Sequence, residues 1–113
     1  MNLSMSKLPI ALFNGTIATT NGLYRVSDID VNSAKRLVKE HSHISAIGHE
    51  ATAEIMTELL DAKIVFNRIQ FKQAIGQKAI VFKLNERPIE GAVLSTAEIK
   101  QVGYSLKLME RLE

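Results

Sequence analysis

Apolar segments of strand length alternate with amphipathic helical segments along this chain, and this restricts it to folds that mix the two kinds of element. Strands are predicted at residues 8–13, 23–27, 63–66, 68–72, 79–84 and from residue 104 onwards, with a helix as the alternative for the last one. Helices are predicted at residues 32–41, after Gly48 and after Ser95, with Asp30 and Ser95 as caps. The order of elements predicts an α/β fold: a single domain with one mixed β-sheet flanked by helices.

Length and composition narrow the class of protein further. The 113 residues suit one domain, which we expect at residues 8–113 after a flexible leader at residues 1–7. No apolar run approaches the roughly 20 residues that cross a bilayer, and none near the start is long enough for a signal peptide. The absence of cysteine excludes disulfides and a thiol nucleophile. We therefore expect a cytoplasmic protein with no membrane partner.

The net charge of +2 is small for a protein that follows a long nucleic-acid backbone. It suits a small anionic ligand better, so we expect no duplex nucleic acid as a partner. No lysine-bearing phosphate loop, nucleotide-binding fingerprint or zinc-binding helix motif is present in the sequence.

The segment at residues 45–52 contains a candidate anion site. Gly48 lets the backbone approach a ligand closely, and the helix that follows directs its free N–H groups and its positive dipole end at the same place. His49 stands at this helix end and is a candidate proton donor, although a histidine there is more commonly a solvated or capping residue. His41 and His43 form a His-x-His pair, but without a carboxylate or cysteine at a supporting spacing we expect no metal.

Arg87 and Glu90 lie in a polar turn with Pro88, which restricts the local backbone. A guanidinium matches two phosphate oxygens at once, so Arg87 is a candidate phosphate ligand. Glu90 could orient the histidine, position a ribose hydroxyl or take its proton. An exposed turn with a local Arg–Glu pair explains the same residues.

Two further segments are candidates for contact with a ligand. Asn14 and Thr16 flank Gly15 just beyond the first strand, at the carboxyl end of the sheet, where ligands bind in open α/β folds. A plain turn explains them equally well. Arg68 lies between two short apolar segments. It could contact phosphate or mark a bend.

Taken in order, these motifs resemble the viral ring nucleases, anti-CRISPR proteins against type III systems. That family was formerly catalogued as a domain of unknown function in archaeal viruses, phages and some bacteria. The resemblance rests on Phe13-Asn14-Gly15-Thr16, Ser45-Ala46-Ile47-Gly48-His49-Glu50-Ala51-Thr52, Asn67-Arg68 with Lys72, and Arg87 with Glu90-Gly91.

The resemblance implies a homodimer that binds one cyclic tetra-adenylate across its two-fold axis. It implies cleavage without metal or cofactor, in which the ribose 2′-hydroxyl attacks and linear di-adenylates ending in cyclic phosphate are released. By the same resemblance His49 is the general acid, Arg87 steadies the phosphate and Glu90 assists. Asn14, Gly15, Thr16, Gly48 and Arg68 are the implied substrate-binding residues, with Thr16 where family members often carry serine.

Two other functions fit the same residues. One is a non-catalytic module that sequesters a cyclic nucleotide and has no need of His49. The other is a small nucleic-acid-binding regulator.

Overall fold

Five strands and three helices make up the computed structural model of the chain, which describes residues 8–15, 20–86 and 94–113. The strands are β1 (Ile10–Asn14), β2 (Tyr24–Asp28), β3 (His43–Ser45), β4 (Lys78–Leu84) and β5 (Tyr104–Arg111). The helices are α1 (Val31–Glu40), α2 (Glu50–Leu60) and α3 (Thr96–Val102). One sheet holds the strands in the order β2-β5-β4-β1-β3, with β1 parallel to β3 and β4, and β5 antiparallel to β4 and β2. The predicted α/β domain with one mixed sheet is therefore confirmed.

The two faces of the sheet are covered by different parts of the chain, because successive strand residues point to opposite sides. On one face, side chains of β1, β4 and β5 pack against residues of all three helices. The strand residues of this face are Ile10, Leu12, Ile80, Phe82 and Leu106. The opposite face carries Ala11, Phe13, Ala79, Val81 and Met109. Phe71, from the chain that follows α2, packs on this second face with its ring centroid 6.2 Å from that of Phe13.

The predicted helix caps are present and set where two helices begin. The Asp30 carboxylate accepts a hydrogen bond from the Ser33 backbone N–H at 2.7 Å, at the start of α1. At the start of α3, Ser95 and Glu98 form a reciprocal capping box. Strand β5 is also confirmed, against the helical alternative for this segment.

The two strands predicted within residues 63–72 are wrong. This segment leaves the end of α2, passes along the outer edge of β3 and continues to the opposite face of the sheet. Individual hydrogen bonds hold it: the Asn67 N–H donates to the Ile47 carbonyl at 2.8 Å, and the Ile69 N–H donates to the Asn67 carbonyl at 3.0 Å. The second bond closes a three-residue turn centred on Arg68, and such a turn interrupts an extended strand.

No strand is predicted at residues 43–45, where the structure has β3. Three residues are too few for an alternating pattern to be recognised, and the strand depends on partners elsewhere in the chain. It pairs with β1 in the register Ile10↔His43 to Leu12↔Ser45.

The expected leader at residues 1–7 lies outside the described residues. Within the described ranges, no helix is long and apolar enough to cross a membrane.

Candidate functional site

The candidate site lies where the carboxyl ends of β1 and β3 meet. The two strands are parallel neighbours, so their carboxyl ends share one edge of the sheet. Asn14 is the last residue of β1, and residues 46–48 connect β3 to His49 and α2. The Ala46 N–H donates to the Leu12 carbonyl at 2.8 Å, which carries the pairing of the two strands one step further.

Asn14 and Arg68 both contact the backbone of Gly48. The Gly48 N–H donates to Oδ1 of Asn14 at 3.1 Å, while Nη2 of Arg68 donates to the Gly48 carbonyl at 3.4 Å. A Cβ added at Gly48 would lie 3.4 Å from Nε of Arg68, so the arginine side chain rests against the face that the glycine leaves bare. The structure thus brings together three residues that were predicted from separate motifs.

His49 is the N-cap residue of α2, and its side chain makes no capping hydrogen bond. Its backbone is extended, with φ −134° and ψ 126°, and its carbonyl accepts from the Ala53 N–H at 3.0 Å. The residue is exposed. Because the imidazole does not cap the helix, the first-turn N–H groups of α2 are not occupied by it, and the positive end of the helix dipole adjoins the ring.

Gly15 follows Asn14 and turns the chain away from the sheet. Its N–H donates to the Phe82 carbonyl at 2.8 Å, and its φ of +96° lies in the region that favours glycine. A Cβ there would meet no atom within 4 Å, so the backbone conformation, rather than crowding, is what requires glycine.

Ser45 and Asn67 hold the loop that precedes His49, a role that no sequence pattern predicts. The Ser45 hydroxyl donates to the Val65 carbonyl at 2.6 Å and accepts from the Ile47 N–H at 3.3 Å. Nδ2 of Asn67 donates to the Ser45 carbonyl at 2.8 Å. Both residues fall within the motifs that carry the resemblance, but their partners lie about 20 residues away in sequence and no local pattern indicates them.

A groove of about 550 Å³ lies beside the site, between α2 and the chain that follows it. Its lining consists of Glu50, Ala53, Glu54, Thr57, Glu58, Lys63, Ile64, Val65 and Phe66. Three carboxylates from one face of α2 make this groove a poor place for an anion. The other side of the helix start, at Gly48, carries the guanidinium of Arg68 instead.

No group of three or more histidine, aspartate or glutamate side chains in the described part of the chain could hold a metal ion. His43 lies in β3 and His41 directly follows α1.

Thr16, Arg87 and Glu90 lie outside the described residues, which end at Gly15 before the first gap and at Glu86 before the second. Their assigned roles stay predictions. The described half of the site comprises Asn14, Gly15, Gly48, His49 and Arg68.

The STIV B116-like family model matches residues 10–106. The chain belongs to the STIV B116-like family. The B116 protein of Sulfolobus turreted icosahedral virus has a similar structure, with a TM-score of 0.65 and 25% sequence identity over 91% of this chain and 99% of that one.

Other relatives of this STIV B116-like protein occur in a virus and in a bacterium. Protein 26 of Sulfolobus islandicus filamentous virus is 39% identical over 84 residues, which are 74% of this chain and 71% of that protein. YddF of Bacillus subtilis is 32% identical over 108 residues, which are 94% of this chain and all of that protein. These relatives are uncharacterised, so they support the family and not an activity.

Proposed function

We propose that this protein is a metal-independent ring nuclease that cleaves cyclic tetra-adenylate into linear di-adenylates and so shuts off type III CRISPR signalling. One observation carries the proposal: an exposed histidine, free of any capping bond, stands at a helix N-terminus and directly follows Gly48, whose carbonyl accepts from the guanidinium of Arg68. This arrangement can receive a phosphate and protonate an oxygen attached to it. The choice of ring as substrate rests on the resemblance of the ordered motifs to viral ring nucleases.

The proposed reaction is an internal transesterification. The ribose 2′-oxygen attacks the adjacent phosphorus, a P–O2′ bond forms and the P–O5′ bond breaks, which leaves a 2′,3′-cyclic phosphate and a 5′-hydroxyl. The imidazolium of His49 gives its proton to the departing 5′-oxygen, and the 2′-hydroxyl proton passes to Glu90 or to water. Since the substrate supplies its own nucleophile, the protein aligns the attack, stabilises charge and donates a proton worth about 10²- to 10⁴-fold in rate.

A single chain presents this site openly, and a second copy of the chain completes it in the proposed homodimer. Three apolar side chains on the segment that carries Arg68 are about half exposed: Val65 at 48%, Phe66 at 48% and Ile69 at 46%. Because they lie on the segment next to the site, we assign them to the surface where the second copy associates. Burying them against a partner would place both copies of Arg68 and His49 beside one two-fold axis.

The charges around this apolar centre are arranged so that two copies complement each other. On the helix side, the α2 face carries exposed Glu50 and Glu54 at one-turn spacing, followed by Glu58, which pairs with Lys100. On the other side, beyond Arg68, the segment carries Lys72, which is exposed and can pair with the partner while Arg68 binds phosphate. In an isologous interface each half meets the opposite half of the partner, so the acidic face of one copy meets the basic half of the other. The two copies of His49, one from each subunit, would then lie on opposite sides of the ring.

The proposed activity is tested by incubating the protein with cyclic tetra-adenylate in the presence of a chelator. Parent protein, His49→Ala and His43→Ala are compared, the last being a matched histidine in β3 outside the site. We expect the parent and His43→Ala to yield di-adenylates with cyclic phosphate ends, and His49→Ala to lose at least about 100-fold in rate. Rings of three and six nucleotides in parallel reactions define the size preference.

Three outcomes would overturn parts of this proposal. If the parent leaves the ring intact but binds it, the protein is a sequestering module. If it ignores the ring and binds duplex DNA with strong salt dependence, it is a nucleic-acid-binding regulator. If His49→Ala cleaves as fast as the parent, the general acid is another residue.

A further inference from the structure

We propose that Asn67 and Ser45 are positioning residues for the reaction, because they fix the backbone from which the His49 imidazole projects. This inference rests on the proposed function and deepens it. Neither residue reaches the imidazole itself. They act on the four residues before it, at the carboxyl end of β3.

The backbone polar groups of residues 45–48 are held by partners on both sides. Within the sheet, the Ala46 N–H is bonded to β1, and the Gly48 N–H to the Asn14 side chain at the end of that strand. On the outer side, Asn67 donates hydrogen bonds to two carbonyls of the loop. Its side-chain amide donates to the Ser45 carbonyl and its backbone N–H donates to the Ile47 carbonyl, both at 2.8 Å. Asn67 is therefore the one described residue that bonds this loop through side chain and backbone together.

Ser45 connects this loop to the segment that contains Asn67. It is only 5% exposed, and its hydroxyl both donates to the Val65 carbonyl and accepts from the Ile47 N–H. A buried hydroxyl with both functions satisfied holds two backbone segments at a fixed separation. Removing the oxygen leaves the Ile47 N–H and the Val65 carbonyl without this partner.

The His49 imidazole depends on the hydrogen bonds of this loop because it makes no capping hydrogen bond itself. Its position is set by its Cα and hence by the loop on one side and α2 on the other. A displacement of about 1 Å at a reacting group can cost about 100-fold in rate. Loosening the loop should therefore slow the chemical step more than it weakens binding of the ring, because the reacting group tolerates less displacement than the contacts of Gly48 and Arg68.

The kinetic arm of the test uses Asn67→Ala and Asn67→Asp, the latter isosteric but with an acceptor in place of the amide donor. We expect kcat to fall about 10- to 100-fold in both, with KM changed by less than about threefold in Asn67→Ala. The negative charge of Asn67→Asp next to Arg68 should in addition raise KM for the anionic ring. Gln70→Ala, an exposed amide on the same segment, is the matched control and should keep the parent kcat. Introduced into His49→Ala, Asn67→Ala should cause no further loss, because a positioning residue has no effect once the group it positions is gone.

The structural arm measures backbone hydrogen exchange and needs no activity. Ser45→Ala should accelerate exchange at the Ile47 and Gly48 amides by about tenfold or more, while the amides of β1 and β4 keep their protection. Ser45→Thr keeps the hydroxyl and should restore slow exchange together with kcat. Thermal unfolding of each variant identifies a general loss of the fold, which would change exchange throughout the sheet.

The outcomes separate this inference from the proposed function. If the parent cleaves rings and both Asn67 variants keep its kcat, the inference fails and the proposed function stands. If exchange at Ile47 and Gly48 is unchanged in Ser45→Ala and Asn67→Ala, the inference fails whatever the activity. If the parent cleaves no ring, the proposed function fails. Accelerated exchange in the variants would then show only that Ser45 and Asn67 stabilise the loop.

Discussion

His49 combines a backbone that is fixed by hydrogen bonds with a side chain that makes no capping hydrogen bond. Its carbonyl is part of the first turn of α2, and the preceding residue is bonded through both its N–H and its carbonyl. The imidazole itself is exposed and does not cap the helix. In a capping histidine, a ring nitrogen accepts a hydrogen bond from a first-turn N–H group. The ring of His49 makes no such bond, so it remains able to exchange a proton with a ligand.

Arg68 is expected to act through the geometry of its guanidinium rather than through charge alone. Its Nη2 contacts the Gly48 carbonyl, which leaves other N–H groups of the fork for phosphate oxygens. Arg68→Lys keeps the charge but loses the fork, so we expect affinity for cyclic tetra-adenylate to fall about tenfold. Calorimetry in the His49→Ala background measures this on an intact ring. Arg25→Lys in β2 is the control, and equal affinity of Arg68→Lys and the parent would exclude the role.

Gly15→Ala tests the strained turn at the end of β1. With φ at +96° and no atom near the new Cβ, the cost comes from backbone conformation, and we expect a loss of about 1 kcal/mol in unfolding free energy. Gly48→Ala is the comparison, because Gly48 lies outside the left-handed region and its Cβ would make van der Waals contact with Arg68. Urea denaturation gives both values. A larger loss for Gly48→Ala would contradict this account.

At the scale of elements, the helices and β4 follow from local sequence because their signals are local. The Asp30 and Ser95 caps mark the starts of α1 and α3, and β4 is a buried apolar run. Residues 63–72 have the composition of strands, but they pair with none of the described strands. Individual hydrogen bonds from Asn67 and Arg68 instead join them to a loop about 20 residues earlier. Such partners exist only after the chain has folded, so pattern alone could not predict the segment or the hold it has on His49.

The C-terminal end of α2 contains a feature that substitution should improve. Asp61 adopts the left-handed conformation, with φ 51° and ψ 44°, and places a carboxylate at the negative end of the helix dipole. Asp61→Gly removes both costs and should raise the unfolding free energy by about 1 kcal/mol. Asp61→Asn removes only the charge and should give a smaller gain. A loss of stability in Asp61→Gly would show that the aspartate has a role in the fold that these costs conceal.

The caps also make stability sensitive to acid. Hydrogen bonds from the Ser33 backbone lower the pKa of Asp30 below its ordinary value of 3.8, and bonds with Ser95 lower the pKa of Glu98 below 4.5. A carboxyl whose pKa is lowered by folding contributes its full stabilisation above the ordinary value and loses it as the pH falls through the lowered one. We therefore expect the urea midpoint to be level near neutrality and to fall below about pH 4.5.

Asp30→Asn isolates one of these groups. Asparagine still caps the helix, so the midpoint at pH 7 should stay close to that of the parent, while the decline in acid should be shallower. Midpoints measured from pH 2 to 7 test this. An acid decline as steep as in the parent would show that Asp30 does not contribute to it.

At the scale of the whole molecule, two surfaces are candidates for the interface of the proposed homodimer. One is the edge beside β3, with exposed Val65, Phe66 and Ile69 next to the site. The other is the edge strand β2, which pairs with β5 alone among the described strands and exposes Val26 at 51%. β2 and β3 lie at opposite edges of the sheet, so an interface at β2 would keep the two candidate sites apart. A ring shared across a two-fold axis needs the interface beside β3.

Three matched substitutions decide between these edges. Phe66→Glu places a charge in the apolar centre beside β3 and should convert the proposed dimer to a monomer, because a buried unpaired charge is costly in an interface. Val26→Glu at β2 and Ile75→Glu at the turn before β4 add the same charge elsewhere and should remain dimeric. Sedimentation equilibrium gives the masses, and ring cleavage should fall with dimer content only in Phe66→Glu. If Val26→Glu dissociates while Phe66→Glu does not, the copies meet at β2, and each site must then act on its ring without help from the partner.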